Sequence, residues 1–396
     1  MNWRLLLLLS LAHMTVDTFG TYLTPLLPIL EKKFAMDEAE MAALLVLMQL
    51  SSAFTQPFWG YLSDRMGQGL LVLAGPAVAA VFIGAVGLAP NYAVLMLLAG
   101  TAGLGVAAFH PEGTALAAGA SGLRKAFGVS IFVVAGHFGL ALGPSLAGWL
   151  TERHGLHASW WLVPPALVLL AVLAVCRRGA RSEVRASRSY PWRELVSRQR
   201  PVIALLFALS VLRSFVVVTY ASGMPFWWEE LGLGPTQIGR QSGLFLFSGG
   251  LAGFLCGLLI RPGREKPWLW ATFALALPAL LLLPLQPTGW RMLVLIGLAG
   301  AMLNATVPAV IVYAQRQLPG AEGLASALML GLAWGTGGIV AAALLRWLQH
   351  SYGNALVLQY ACLALVPALL CAVLLPGAAR VAAAAAPRDG AGASRP

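Results

Sequence analysis

The stretch RRGARSEVRASRSYPWRELVSRQRP, Arg177 to Pro201, is the only long polar segment inside this chain, and it carries eight arginines. On both sides lie apolar runs of about 20 residues, the length a helix needs to cross the hydrocarbon of a bilayer. Twelve runs can be read, over about residues 5–30, 39–63, 70–89, 93–119, 126–151 and 158–176 before the segment, and 202–228, 236–260, 268–285, 291–315, 323–347 and 355–376 after it. The polar segment therefore divides the protein into six plus six.

The runs are continuous and show no period-two alternation, so helices are expected rather than strands; in lipid each segment must satisfy its own backbone hydrogen bonds. Composition agrees, since 59% of the 396 residues are hydrophobic and only 10% are charged, more apolar surface than a water-soluble core can hide. The expected fold class is all-α integral membrane, with twelve transmembrane helices. Cys176, Cys256, Cys362 and Cys371 lie in or beside apolar runs without CxxC spacing, so neither a disulfide nor a metal is expected. Arg4 followed by LLLLLSLA imitates a signal peptide, but His13 and Asp17 interrupt the run and no small-residue cleavage site follows. A retained first span is expected.

An even number of spans puts both termini on one side, and the basic residues choose that side. Segments on the terminal side hold nineteen Lys and Arg, opposite segments or span ends hold six, and Arg213 alone lies within a span. The termini are expected to be cytoplasmic, in a bacterial inner membrane. The arginine cluster is explained by topology and anionic lipid headgroups, so no nucleic-acid partner is expected. The organisation read from the chain is an N-terminal bundle over 1–176, an Arg-rich cytoplasmic linker over 177–201, a C-terminal bundle over 202–376 and a disordered cytoplasmic tail over 377–396.

An offset of 197 residues superposes Pro28 on Pro225, Ser51 on Ser248, Gly60 on Gly257, Gly103 on Gly300 and Pro111 on Pro308, and aligns the helix runs without a gap. Two pseudo-symmetric six-helix bundles related by an axis along the membrane normal would produce this register.

Between the second and third runs lies GYLSDRMGQG, Gly60 to Gly69. It resembles the inner-loop motif of the major facilitator superfamily of secondary transporters, roughly G-x-L-A/S-D-R-x-G-R-K, with Gln68 and Gly69 in place of the basic pair. The resemblance implies the major facilitator fold and a conformational latch built on Gly60, Asp64, Arg65 and Gly67. The second-half counterpart, GLLIRPGREK, has Arg261 where Asp64 would fall, so that latch is expected to have decayed. In the fifth run, GHFGLALGPSLAG resembles the motif that this superfamily associates with antiporters. Ala135, Gly139, Gly143 and Ala147 recur every four residues as a small-residue stripe, Pro144 breaks the backbone ladder, and Gly148 closes the motif. The fourth run has Ala99 where many antiporters carry an arginine. HMTVDTFGTYLTPLLPILEKKF, FHPEGTALA and SIFVVAGHFGLALGP, read in order, narrow the resemblance to the fosmidomycin resistance protein family of drug exporters.

Ionisable groups near mid-bilayer cost about 2.5–3.5 kcal/mol each on insertion scales, so each is a functional candidate. His13 and Asp17 are four residues apart and share a helical face, and Asp17 lies roughly 18–20 Å along its span, at the depth where transporters bind substrate and coupling ions. Asp17 is therefore a candidate proton carrier or substrate contact, with a permanent structural hydrogen bond as the alternative. His110 and Glu112 point about 200° apart on an ideal helix, with Pro111 between them; Glu112 is a candidate proton carrier facing the central cavity or the fifth-span stripe, or else part of a polar clamp. His137 is a helix-packing donor or a coupling residue. Arg213, beside the repeat position of Asp17, could hold an anionic substrate or pair with Asp17 across the pseudo-symmetry axis. Trp160, Trp161, Trp227 and Trp228 are expected as interfacial anchors.

The function expected is secondary active transport by alternating access, as proton-coupled efflux of a small molecule or drug. The alternative is a proton-coupled importer of a small organic anion or metabolite. HPEG lacks the HExxH spacing of a zinc protease and there is no GxxxxGKS/T loop, so neither an enzyme nor ATP drive is expected. No cofactor is expected, and a single twelve-span chain suffices as a monomer.

Overall fold

A computed structural model describes residues 1–66, 69–176, 197, 199–261, 263–318, 325 and 327–376. All regular structure among them is helical. The spans are α1 (Trp3–Phe34), α2 (Glu38–Ser63), α3 (Leu71–Leu88), α4 (Tyr92–Ala120), α5 (Phe127–His154), α6 (Leu156–Cys176), α7 (Arg200–Glu230), α8 (Pro235–Leu259), α9 (Glu265–Leu285), α10 (Gly289–Gln317), α11 (Ala333–Tyr352) and α12 (Asn354–Leu374). All but α11 are long and apolar enough, within the described residues, to cross a membrane. A π-helical turn, Ala327–Leu332, precedes α11, and the run expected from residue 323 begins outside the described residues. The Arg-rich linker, except Ser197 and Gln199–Pro201, and the tail from 377 also lie outside them.

Local chemistry sets the helix limits. Asp37 caps α2 in a reciprocal capping box with Glu40, Asn91 accepts the Val94 N–H at the start of α4, and Pro235 occupies the first turn of α8. Near the end of α1 a short 3-10 segment, Thr24–Leu26, contains Pro25. Pro111 and Pro308 lie inside α4 and α10, as the repeat requires.

Each half has its own apolar core, one including Phe19, Tyr22, Phe109 and Phe132, the other Tyr220, Trp228, Phe245 and Phe273. Trp227 and Trp228 are 3% and 0% exposed. They are core residues of the second half, not interfacial anchors, because they pack into its apolar cluster. Trp160 and Trp161 remain exposed.

The halves obey the repeat in detail. α1 packs on α5 as α7 packs on α11, and across the interface α5 packs on α8 as α2 packs on α11. His13 Nδ1 meets the Phe132 carbonyl at 2.8 Å; 197 residues on, the Ser210 hydroxyl meets Met329 Sδ. The second half has kept the geometry and lost the charges, with Ser210 for His13, Ser214 for Asp17, Val307 for His110 and Ala309 for Glu112.

Candidate functional site

One turn of α1 sets His13 and Asp17 on a common face, and α4 brings His110 to the same carboxylate. His13 Nε2 is 3.2 Å from Asp17 Oδ2, and His110 Nε2 is 3.4 Å from Asp17 Oδ1. His13 and Asp17 are buried, while a quarter of the His110 side chain remains exposed. The rings of Phe132, stacked at 4.1 Å, and Phe109, at 5.6 Å, wall His13 in. The Phe132 carbonyl can only accept, so His13 Nδ1 carries the hydrogen. In the neutral ring Nε2 then offers a lone pair to a carboxylate that also only accepts. A positive species must lie between them.

Gly136 of α5 allows this approach. A Cβ there would lie 2.5 Å from the His13 ring and 2.7 Å from Asp17 Oδ2. Further along the stripe, a Cβ at Gly139 would strike the Met14 carbonyl and one at Gly143 the Thr18 carbonyl. The small residues expected to pack thus serve α1 at this level. Gly148 instead meets Gly239 of α8, and Pro144 lies inside α5 at the same interface.

The three residues of HPE hold three different helices. His110 reaches Asp17 of α1, Pro111 faces Gly60 of α2, where a Cβ would lie 3.7 Å from it, and Glu112 Oε2 accepts the Val72 N–H of α3 at 2.8 Å. Glu112 is 1% exposed. It faces neither the central cavity nor the α5 stripe, because the unpaired amides at the start of α3 attract its carboxylate.

A cavity of about 990 Å³ lies between the halves. Leu23, Thr24 and Leu27 close it at the end away from the termini, and it runs down to Phe127 and Leu258 near the terminal ends of α5 and α8. Its walls are mainly apolar, with Gln49, Ser52, Ser222 and Asn304 as scattered polar groups, and His137 is the one ionisable residue among the described residues that line it. His137 Nδ1 donates to the Val133 carbonyl at 3.0 Å, and the ring packs where Gly250 of α8 has no side chain.

Arg213 does not pair with Asp17. Asp17 is committed to the two histidines, whereas the Arg213 guanidinium lies 5.0 Å from the centre of the Trp334 ring, and its Nη1 has no hydrogen-bond partner. Trp334 lines the cavity and screens this buried cation from it. In the latch motif, Arg65 is exposed and stacks on Tyr61 at 4.6 Å; the Asp64 side chain and Gly67 lie outside the described residues. In the second half Arg316 pairs with buried Glu265 at 2.8 Å, tying α10 to the start of α9.

The charges missed in the sequence join the halves at the end away from the termini. Arg346 donates from Nε and Nη2 to Glu31 Oε1 at 3.0 and 2.6 Å, Lys32 pairs with Glu229 at 2.8 Å, His350 meets Glu38 at 3.2 Å, and the Thr236 N–H donates to Glu152 at 2.7 Å. In the sequence, Lys32 and Arg346 count only as basic charges for topology and their partners go unused; the last two links occupy matching corners of the repeat.

Residues 9–342 match the sequence profile of the Major Facilitator Superfamily. The chain belongs to the Major Facilitator Superfamily. Among superfamily relatives, the fosmidomycin resistance protein of Escherichia coli is 28% identical over 375 residues, covering 93% of this chain and 91% of that one. The multidrug resistance protein MdtG of Citrobacter koseri is 29% identical over 286 residues, covering 68% and 70%. The narrower resemblance read from the first half of the sequence agrees with the former. Among solved superfamily folds, a bacterial homologue of the human lysosomal transporter Spinster aligns over 96% of this chain and 95% of its own with a TM-score of 0.72 at 14% identity. The nucleoside transporter NupG aligns over 94% and 99% with a TM-score of 0.73 at 13% identity. This superfamily member is accordingly a multi-pass membrane transporter for a small molecule.

Proposed function

We propose that this transporter exports a small, drug-like molecule in exchange for protons, cycling the two bundles about the central cavity. The observation that carries the proposal is the Asp17 cluster beside a cavity sealed at one end by contacts between the halves. Asp17 takes up the proton that bridges it to His13, and His110 senses the same carboxylate from α4. His137 contacts substrate in the cavity. The latch residues and the α5–α8 stripe guide the rocking. Drug resistance in the names of two relatives supports export, and the mainly apolar wall suits a substrate with substantial apolar surface. Positive charge on the terminal side supports cytoplasmic termini in a bacterial cell, and a single chain working as a monomer in the inner membrane completes the proposal. Bundle limits at 1–176 and 202–376 follow the same repeat.

The test is flux in proteoliposomes with an acidified lumen and a pH dye inside, using fosmidomycin and a panel of amphiphilic drugs outside. Antiport raises luminal pH when substrate is added, and Asp17→Asn abolishes the response. Acidification of the lumen on substrate addition would instead establish import by symport. Unchanged coupling in Asp17→Asn would remove Asp17 from the mechanism.

A further inference from the structure

We infer that His13, Asp17 and His110 form a binding site for one divalent transition-metal ion of the Zn2+ class, although no metal was expected from the sequence. One ring nitrogen each of His13 and His110 and one carboxylate oxygen of Asp17 all lie within 4.8 Å of one another. Two ligands each about 2.0–2.2 Å from a tetrahedral ion are roughly 3.3–3.5 Å apart. His13 Nε2 lies 3.2 Å from Asp17 Oδ2 and His110 Nε2 lies 3.4 Å from Asp17 Oδ1, so each ring faces its own oxygen of the shared carboxylate at about that spacing. Charge-assisted hydrogen bonds between such groups close to about 2.7–2.9 Å. The cluster is spaced for a shared ion more than for tight direct contact.

Orientation supports the same assignment. His13 donates its Nδ1 hydrogen to the Phe132 carbonyl, which turns the Nε2 lone pair on the cluster; metal-binding histidines are characteristically held in this way by a carbonyl behind the ring. Gly136 keeps the volume beside His13 Nε2 and Asp17 Oδ2 free of side-chain atoms. Phe109 and Phe132 line the closed side, while the exposed edge of His110 gives an entry path and leaves a fourth position for water or another ligand. Two imidazoles and one carboxylate suit Zn2+, Co2+ or Ni2+, whereas Mg2+ and Ca2+ call for oxygen ligands. The geometry does not depend on the direction of transport; the ion and the proton that bridges Asp17 to His13 are alternative occupants of the same lone pairs, so each displaces the other.

The full chain, purified in detergent with any affinity tag removed, is titrated with Zn2+ against a chromophoric chelator and with Co2+ alone. One ion per chain is expected, with the intense d–d absorption of four-coordinate Co2+. Asp17→Asn and His110→Gln should each weaken Zn2+ binding at least tenfold. His350→Gln, which alters the His350–Glu38 pair far from the cluster, should leave binding unchanged. Zn2+ should also raise the thermal midpoint of the parent but not of His110→Gln. Absence of saturable binding in the parent, a parental Co2+ spectrum of six-coordinate type, or parental affinity in His110→Gln would each overturn the assignment. No transport is measured, so failure here leaves the export proposal standing, and failure of export leaves the metal site standing.

Discussion

Lys32 and Glu229 are 197 positions apart in sequence and 2.8 Å apart in space. That separation is the repeat offset itself, so the pair joins equivalent positions of the two halves at the sealed end of the cavity. Lys32 is 71% exposed, and such a pair contributes about 0.2–1 kcal/mol. Arg346 and Glu31 are only 15% and 20% exposed, and Arg346 also lies 4.0 Å over the Phe226 ring.

Removing the half-buried pair should therefore open this end more than removing the exposed one. With Thr24→Cys as a reporter in the cavity roof, Glu31→Gln should speed labelling by an impermeant maleimide, added opposite the termini, by about tenfold, the consequence of losing roughly 1.5 kcal/mol from a charged hydrogen bond. Lys32→Met should change it less than threefold.

Glu112→Gln should preserve gradient-driven flux, because the amide oxygen can still accept the Val72 N–H. Glu112→Ala leaves that buried donor unmatched and should cost about 1.5–3 kcal/mol of stability, read as a lower thermal midpoint. Loss of pH-gradient coupling in Glu112→Gln would restore Glu112 as a proton carrier.

Gly136→Ala places a methyl group against His13 and Asp17 at distances no relaxed contact allows. Flux should fall at least tenfold. Gly119→Ala, where a Cβ meets nothing within 4 Å, should transport at the parental rate.

Trp334→Ala would bare the Arg213 guanidinium to the cavity. Competition by anionic compounds against a transported substrate should strengthen severalfold, while the ring-pairing contribution of about 0.5–1.5 kcal/mol to aromatic substrates is lost. No change in anion competition would show that Arg213 serves structure alone.

The helical class, the twelve runs and the pseudo-repeat were legible because lipid imposes length and hydropathy on every span. The closeness of His13 and Asp17 followed from helical periodicity, and the opposed directions of His110 and Glu112 from the same geometry. What each of the latter reaches was not legible. His110 meets α1 and Glu112 meets α3 through packing between helices, which spacing within one run does not encode. A pairing of Arg213 with Asp17 was one alternative, since the repeat places them side by side, yet the local partners, Trp334 and two histidines, prevail. Trp227 and Trp228 stand at a span end, where burial depends on neighbours distant in the chain.

The HPE tripeptide makes α4 behave like a crankpin. Any roll of this helix that draws His110 away from Asp17 also turns Glu112 against the head of α3 and drags Pro111 across Gly60. In the proposed cycle, loading the carboxylate and re-seating three neighbouring helices are thus one mechanical event, with no slack between chemistry and motion.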